Sequence, residues 1–163
     1  MSERLRRLYI QKHKNCPNYG VSAKRHIERI KDLIPQRKWK TFLDYGCGKA
    51  VLSKEIPGIV NYDFAIPEYD NLPDGRFDVA FCIDVLEHIP KEELHATLEY
   101  LQSHAKEVYF CVYLELCGHH LPNGEPCHCT VENAAWWIDK LGEYWNHIEL
   151  VNCGKLRLTV IAS

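Results

Sequence analysis

The chain has no run of eighteen apolar residues, so no membrane-crossing helix and no membrane partner are expected. Its first ten residues, MSERLRRLYI, carry positive charge with no apolar run behind them. That excludes the expectation of a secretory signal. It also lacks the spaced cysteine pairs of the usual zinc sites. Eight cysteines lie at 16, 47, 82, 111, 117, 127, 129 and 153, and Cys127-His128-Cys129 are consecutive. Cys47, Cys82 and Cys111 fall in or beside apolar stretches, where a free thiol packs as a small hydrophobe. A reduced, cytoplasmic protein is the expectation. Net charge is nearly absent at −2, but its distribution is uneven. Residues 1–40 carry a balance of +9 and residues 41–163 a balance of −11. The ordinary reading is a solvated basic face that offsets an acidic body; the rival is an arm that approaches phosphates.

What is present centres on Thr41 to Ala50, TFLDYGCGKA. Phe42 and Leu43 are apolar, Asp44 follows, Gly46 and Gly48 stand two apart, and Lys49 to Ile56 is compatible with a helix. This order predicts a buried strand, a tight glycine turn and a helix. A glycine pair of this kind lacks the third glycine of the dinucleotide fingerprint and the Lys-Ser/Thr of a phosphate loop.

Asp44-Tyr45-Gly46-Cys47-Gly48 resembles the first motif of the class I S-adenosylmethionine-dependent methyltransferases. Val60-Asn61-Tyr62-Asp63 resembles that family's second strand with its acidic end. Phe77 to Ile89, FDVAFCIDVLEHI, is similar to its fourth strand and exit. The three motifs stand in the family's order, and the resemblance extends loosely over Tyr19 to Ser163. It implies a Rossmann-like, doubly wound α/β domain over residues 1–163, with a mostly parallel sheet and a C-terminal antiparallel hairpin. The helices of residues 1–40 would build part of the substrate side, with Tyr19 facing the pocket.

One departure is legible by counting. Only thirteen residues, Phe64 to Arg76, separate Asp63 from Phe77. They cannot hold a crossover helix and another strand, so the edge strand after the second is expected to be missing. Asp70-Asn71-Leu72-Pro73 resembles the family's adenine-side loop, one residue short. Elsewhere the pattern predicts helices over Arg4–Lys14, from Ser22 to a stop at Pro35, over Lys91–Ala105, and over Val131–Tyr144 with Thr130 as cap. Val108–Leu116 reads as a strand, and Ile148–Val151 with Leu156–Ala162 as a hairpin. Trp136, Trp137 and Trp145 read as core.

The resemblance implies S-adenosylmethionine as cofactor. Backbone N–H groups of the Asp44, Tyr45, Gly46, Cys47, Gly48 turn would attract its carboxylate. Asp44 would take its ammonium and Asp63 its ribose hydroxyls; Phe64, Leu72, Asp84 and Val85 would complete the cofactor site. His88 and His128 are the candidate catalytic bases, with His119 and His120 behind them. Asp84, Glu87 and His88 fall at i, i+3 and i+4, and with His128 they make an alternative divalent-metal set; no metal is expected. A zinc site on His119, His120, Cys127, His128 and Cys129 is weaker still. The motifs of base-amino, cytosine-C5 and cap 2′-O enzymes are absent. The acceptor is therefore expected to be oxygen or nitrogen on a small molecule. An RNA or nucleotide methyltransferase engaging RNA through residues 1–40, and a non-catalytic cofactor-binding module, are the alternatives.

Overall fold

In a computed structural model, residues 2–163 are described. Six strands form one sheet: β1 (Phe42–Tyr45), β2 (Val60–Tyr62), β3 (Phe77–Ile83), β4 (Ala105–Tyr113), β5 (Ile148–Cys153) and β6 (Arg157–Ala162). Their order is β2-β1-β3-β4-β6-β5, with β2, β1, β3 and β4 mutually parallel. β6 enters antiparallel beside β4, and β5 returns antiparallel on β6. β2 closes the far edge, and no strand forms in the chain segment that joins it to β3 among the described residues. The expected loss of the edge strand is therefore met. β3 and β4 are almost wholly buried, as strands covered on both faces should be.

Alternate side chains of the strands feed two cores. Leu43, Cys82, Phe110 and Val160 face α3 (Leu94–His104) and α4 (Ala134–Gly142), meeting Leu98, Leu101, Trp137 and Leu141. Phe42, Phe81, Tyr109 and Ile161 face the other way onto α2 (Ile27–Arg37), meeting Ile30, Trp39 and Leu52. Trp137 and Trp145 are core, as expected, while Trp136 is half-buried under the Lys91 ammonium. A third, smaller cluster joins α1 (Glu3–Asn15) to loops rather than to the sheet, through Leu5, Tyr9, Ala65, Leu121 and Cys127. All eight cysteines are free.

Four local expectations are corrected. No α-helix follows β1; only a 3₁₀ turn, Leu52–Lys54, forms there. Ala50 takes a left-handed φ of 48°, and the Lys49 N–H is bonded to the Gly20 carbonyl, so the helical run cannot start. Pro35 does not stop α2 but sits in its last turn, where the helix runs on to Arg37. Lys38, at φ 59°, ends it by donating its N–H to the Ile34 carbonyl. Asn133, not Thr130, caps α4, its side chain accepting from the Trp136 N–H. Finally, β4 begins at Ala105 and ends at Tyr113, three residues earlier at each end than the apolar run suggests.

Candidate active site

A cavity of about 630 Å³ opens along the carboxyl ends of the parallel strands. This is where open α/β sheets bind ligands. Its floor is the turn after β1, its roof the segment from Tyr9 to Arg25, and its far wall His88, Tyr113 and His128.

The glycine turn is shaped by its neighbours. Gly46 has φ 76°, and a Cβ on it would lie 2.4 Å from Val85 Cγ2. Gly48 has φ 52°, and its Cβ would lie 2.5 Å from the Gly20 carbonyl oxygen. The turn's N–H groups are also occupied. Gly46 and Cys47 both donate to the Tyr62 carbonyl, at 2.8 and 3.0 Å. Gly48 donates to Asp63 Oδ2 at 2.9 Å. No helix opens at this turn, so the expected anion-binding N-terminus is not formed there. Gly46 therefore serves packing first. Gly46→Ala is expected to cost about 1–3 kcal/mol through backbone strain, plus the Val85 clash. Denaturant unfolding checks this, and adding Val85→Ala should return the clash portion only.

Asp44 and Asp63 are both buried at the cavity floor. Asp63 spends one oxygen on Gly48 N–H and the other on Ala65 N–H, at 2.9 Å each. Each carboxylate oxygen has a second lone pair, so two hydroxyls can still be received. Asp44 Oδ2 has no partner. Burial, and then the neighbouring Asp63 charge, push the Asp44 carboxyl up to about 8. Tyr45, Cys47, Phe64 and Val85 line the cavity. Leu72 does not; it is 44% exposed, and its loop is tied down elsewhere by Arg6 on Asp70 and by Tyr100 on the Pro73 carbonyl.

Asp84 lines the cavity, but its carboxylate is engaged by arginines. Arg25 Nη2 donates to Oδ2 at 2.9 Å, and Arg157 Nε lies 3.5 Å from Oδ1. Its φ is 52°, a left-handed value that aspartate tolerates better than most residues. This corrects the four-residue metal set, because Asp84 does not converge with the other three.

Glu87, His88 and His128 do converge, with ligand atoms all within 4.8 Å of one another. The Cys129 and Thr130 N–H groups both donate to the Glu87 carbonyl, at 2.9 and 3.1 Å. Thr130 Oγ1 donates to the Ile89 carbonyl at 2.7 Å. These bonds staple the loop after β4 onto the turn after β3, and the two imidazoles meet at 4.7 Å between centroids. His88 Nδ1 lies 2.9 Å from the Cys127 carbonyl, and His128 Nδ1 lies 2.8 Å from the Glu115 carbonyl. A carbonyl can only accept, so each Nδ1 carries the proton and each Nε2 keeps its lone pair. Burial lowers both histidines, His88 to about 4, so both are neutral at pH 7. Glu87 is fully buried; Oε1 accepts from the Tyr113 N–H and Oε2 has no partner. Burial and the Asp84 charge push its carboxyl well up. Two neutral imidazoles and a carboxyl in this grouping can accept a proton or hold a divalent cation. The zinc set of the loop is not assembled: His119, His120 and Cys129 are exposed while Cys127 and His128 are buried.

Several lining residues carry no motif. Tyr9 donates to the Cys127 carbonyl at 2.8 Å and touches His88 Nδ1 at 3.1 Å. Tyr19 meets the expectation for it, lining the cavity edge-on to His13, His88 and His119. His119 lines the cavity as well, whereas His120 lies outside it and lends its carbonyl to Lys12. Tyr9 falls within the helix predicted over Arg4–Lys14, and nothing in the sequence distinguishes it from a core residue.

The family described as "Methyltransferase domain" matches residues 18–152, and the chain belongs to it. No curated protein matches the chain. The DhpI–SAM–HEP complex is similar in fold, with 13% identity, full coverage of both chains and a TM-score of 0.69. So is the Burkholderia thailandensis 1,6-didemethyltoxoflavin-N1-methyltransferase with bound 1,6-didemethyltoxoflavin and S-adenosylhomocysteine. It has 13% identity, covers 97% of this chain and 86% of that one, and gives a TM-score of 0.68. Magnesium protoporphyrin IX methyltransferase from Synechocystis PCC 6803 has 16% identity, covers 88% and 84%, and gives 0.58.

Proposed function

We propose that this chain transfers a methyl group from S-adenosylmethionine to an oxygen or nitrogen of a small molecule. The observation that carries this is the continuous cavity from Asp44 to the His88–His128 pair, within a methyltransferase domain. Its volume lies in the range of about 300–1,000 Å³ typical of small-molecule sites. The residues fit the cofactor where its charge matters. A buried Asp44 oxygen without a partner suits the ammonium, and the free lone pairs of Asp63 suit the ribose. The cofactor supplies an electrophilic methyl; the protein aligns the acceptor and receives its proton. His128 Nε2 is the proposed base, with His88 beside it.

Small-molecule neighbours in fold, the toxoflavin-precursor and protoporphyrin enzymes, favour this acceptor class. RNA is disfavoured by the spending of basic charge inside the molecule. Arg4, Arg6, Arg7, Arg25, Lys31 and Arg37 each pair with a carboxylate. No helix among the described residues is long and apolar enough to cross a membrane. A metal-assisted version of the same transfer is supported by the Glu87, His88, His128 grouping, whose outer nitrogens are already oriented by carbonyls.

Calorimetry with S-adenosylhomocysteine tests the cofactor, and a label-transfer screen over small hydroxyl and amine acceptors tests the reaction. Saturable cofactor binding with transfer to a small acceptor is expected. Transfer only to RNA, weakening steeply with salt, would replace the small-molecule reading. Cofactor binding with no transfer to either class would leave a binding module.

A further inference from the structure

Past the histidine pair, the cavity wall is built from two arginines that share one carboxylate. Arg25 reaches Asp84 from the 3₁₀ turn Ser22–His26, and Arg157 reaches it from the first residue of β6. Two cations against one anion leave a positive charge facing the cavity. Glu87, the other carboxyl that interacts with Arg157, is pushed toward its neutral form by burial and the Asp84 charge. Cys111 donates its thiol to Asp84 at 3.5 Å, and the histidines of this wall, His119 and His128, bring no anion. Of the cavity's other carboxylates, Asp44 and Asp63 stand at the opposite, cofactor end, and Glu93 takes the Ser2 N–H at the start of α1.

Arg157 is held but not saturated. Its guanidinium carbon sits 4.6 Å over the Tyr113 ring, its register partner on β4. That cation–π contact holds the guanidinium against the ring. Yet the Arg157 side chain makes no close hydrogen bond among the described residues: its buried Nε faces Asp84 Oδ1 across 3.5 Å, an ion pair longer than a good hydrogen bond. A guanidinium with Nε turned to Asp84 and no hydrogen bond at its two Nη groups among the described residues can still recognise a planar or tetrahedral oxyanion through them. The Tyr113 ring lies 5.1 Å from that of His128, so Arg157, Tyr113 and His128 form one continuous wall. An acceptor anchored at one end of it would present its nucleophilic atom at the other.

From this we infer that the acceptor carries an anionic oxygen group, carboxylate or phosphate, seated on Arg157 and Arg25. This deepens the methyltransferase reading and rests on it for the word acceptor; the anion site itself does not depend on that reading. Both guanidiniums belong to parts that looked ordinary: Arg25 to a basic solvated segment, Arg157 to the end of a hairpin.

The test titrates the full chain with potassium phosphate and, separately, potassium acetate, with ionic strength held constant by chloride. The Arg157 Nε–H resonance is followed by NMR and assigned by its loss in Arg157→Lys. A saturable shift in the millimolar range is expected, weakened at least about tenfold in Arg25→Gln, as loss of a charge-assisted hydrogen bond implies. Arg25 is exposed, so that variant should fold. Saturation by phosphate alone selects a phosphate-bearing acceptor, and by acetate alone a carboxylate. A shift that never saturates, or one unchanged in Arg25→Gln, overturns the site. Calorimetry with S-adenosylhomocysteine runs alongside on the same samples. Cofactor binding without the anion response sinks this inference and spares the methyltransferase reading; the anion response without cofactor binding does the reverse.

Discussion

Asp44→Asn should weaken S-adenosylhomocysteine binding by about 10- to 100-fold at pH 7.5, the worth of a hydrogen bond to a charged group. It should also flatten the pH dependence. In the free protein the Asp44 carboxyl is pushed up to about 8, so it holds a proton at neutral pH. A bound ammonium favours the ionised form, so binding expels that proton. Wild-type affinity should therefore climb between pH 6 and 7.5, by at most about tenfold per unit. Calorimetry in buffers of different ionisation heat should register up to one proton released. 5′-Methylthioadenosine, which has no ammonium, should bind wild type and variant alike. A wild-type profile flat over this range would show that Asp44 does not receive the ammonium.

The same residue gives a stability signature of known sign. Its folded pKa lies above the unfolded value of about 3.9, so the folded state binds the extra proton between those limits. The ligand-free protein should lose stability as pH rises from about 4 to 8, by up to about 1.4 kcal/mol per unit from this group. Asp44→Asn should remove that slope.

The strand order was legible because it rests on local signals. Apolar runs mark β1, β3 and β4, and a count of thirteen residues after Asp63 leaves no room for another strand. The floor of the site was legible for the same reason: Asp44, Asp63 and the glycines sit at strand ends. What eluded the sequence are pairings across the chain. Gly48 needs to be glycine because Gly20 lies on it, and Asp84 is claimed by residues 59 positions before it and 73 after. Such contacts have no periodicity to betray them. The basic bias of residues 1–40 hid Arg25 among charges whose partners lie mostly elsewhere in the chain. The helix after β1 failed for a related reason. Its residues suit a helix, but the Gly20 carbonyl takes the Lys49 N–H and turns the chain aside.

His128→Ala should depress turnover by about 10²- to 10⁴-fold, the usual loss of a general base, while leaving cofactor affinity within about twofold. His128 stands across the cavity from Asp44 and Asp63, on the loop stapled to Glu87, so its imidazole does not touch the cofactor end. Its Nδ1 is committed to the Glu115 carbonyl, so Nε2 is the nitrogen with a lone pair left to accept a proton. His128→Asn, which keeps an Nδ-like donor toward Glu115 and loses the base, should fold like wild type and remain as slow as alanine. The metal version is separated by His88→Ala and Glu87→Gln. If a divalent ion co-purifies with wild type and is lost from all three variants, the grouping binds metal, and turnover should return with added ion only in wild type stripped by a chelator. If no variant changes metal content and chelation leaves turnover intact, His128 acts as base alone. Full activity of His128→Ala toward the true acceptor would take this residue out of the mechanism and leave proton removal to His88 or to water.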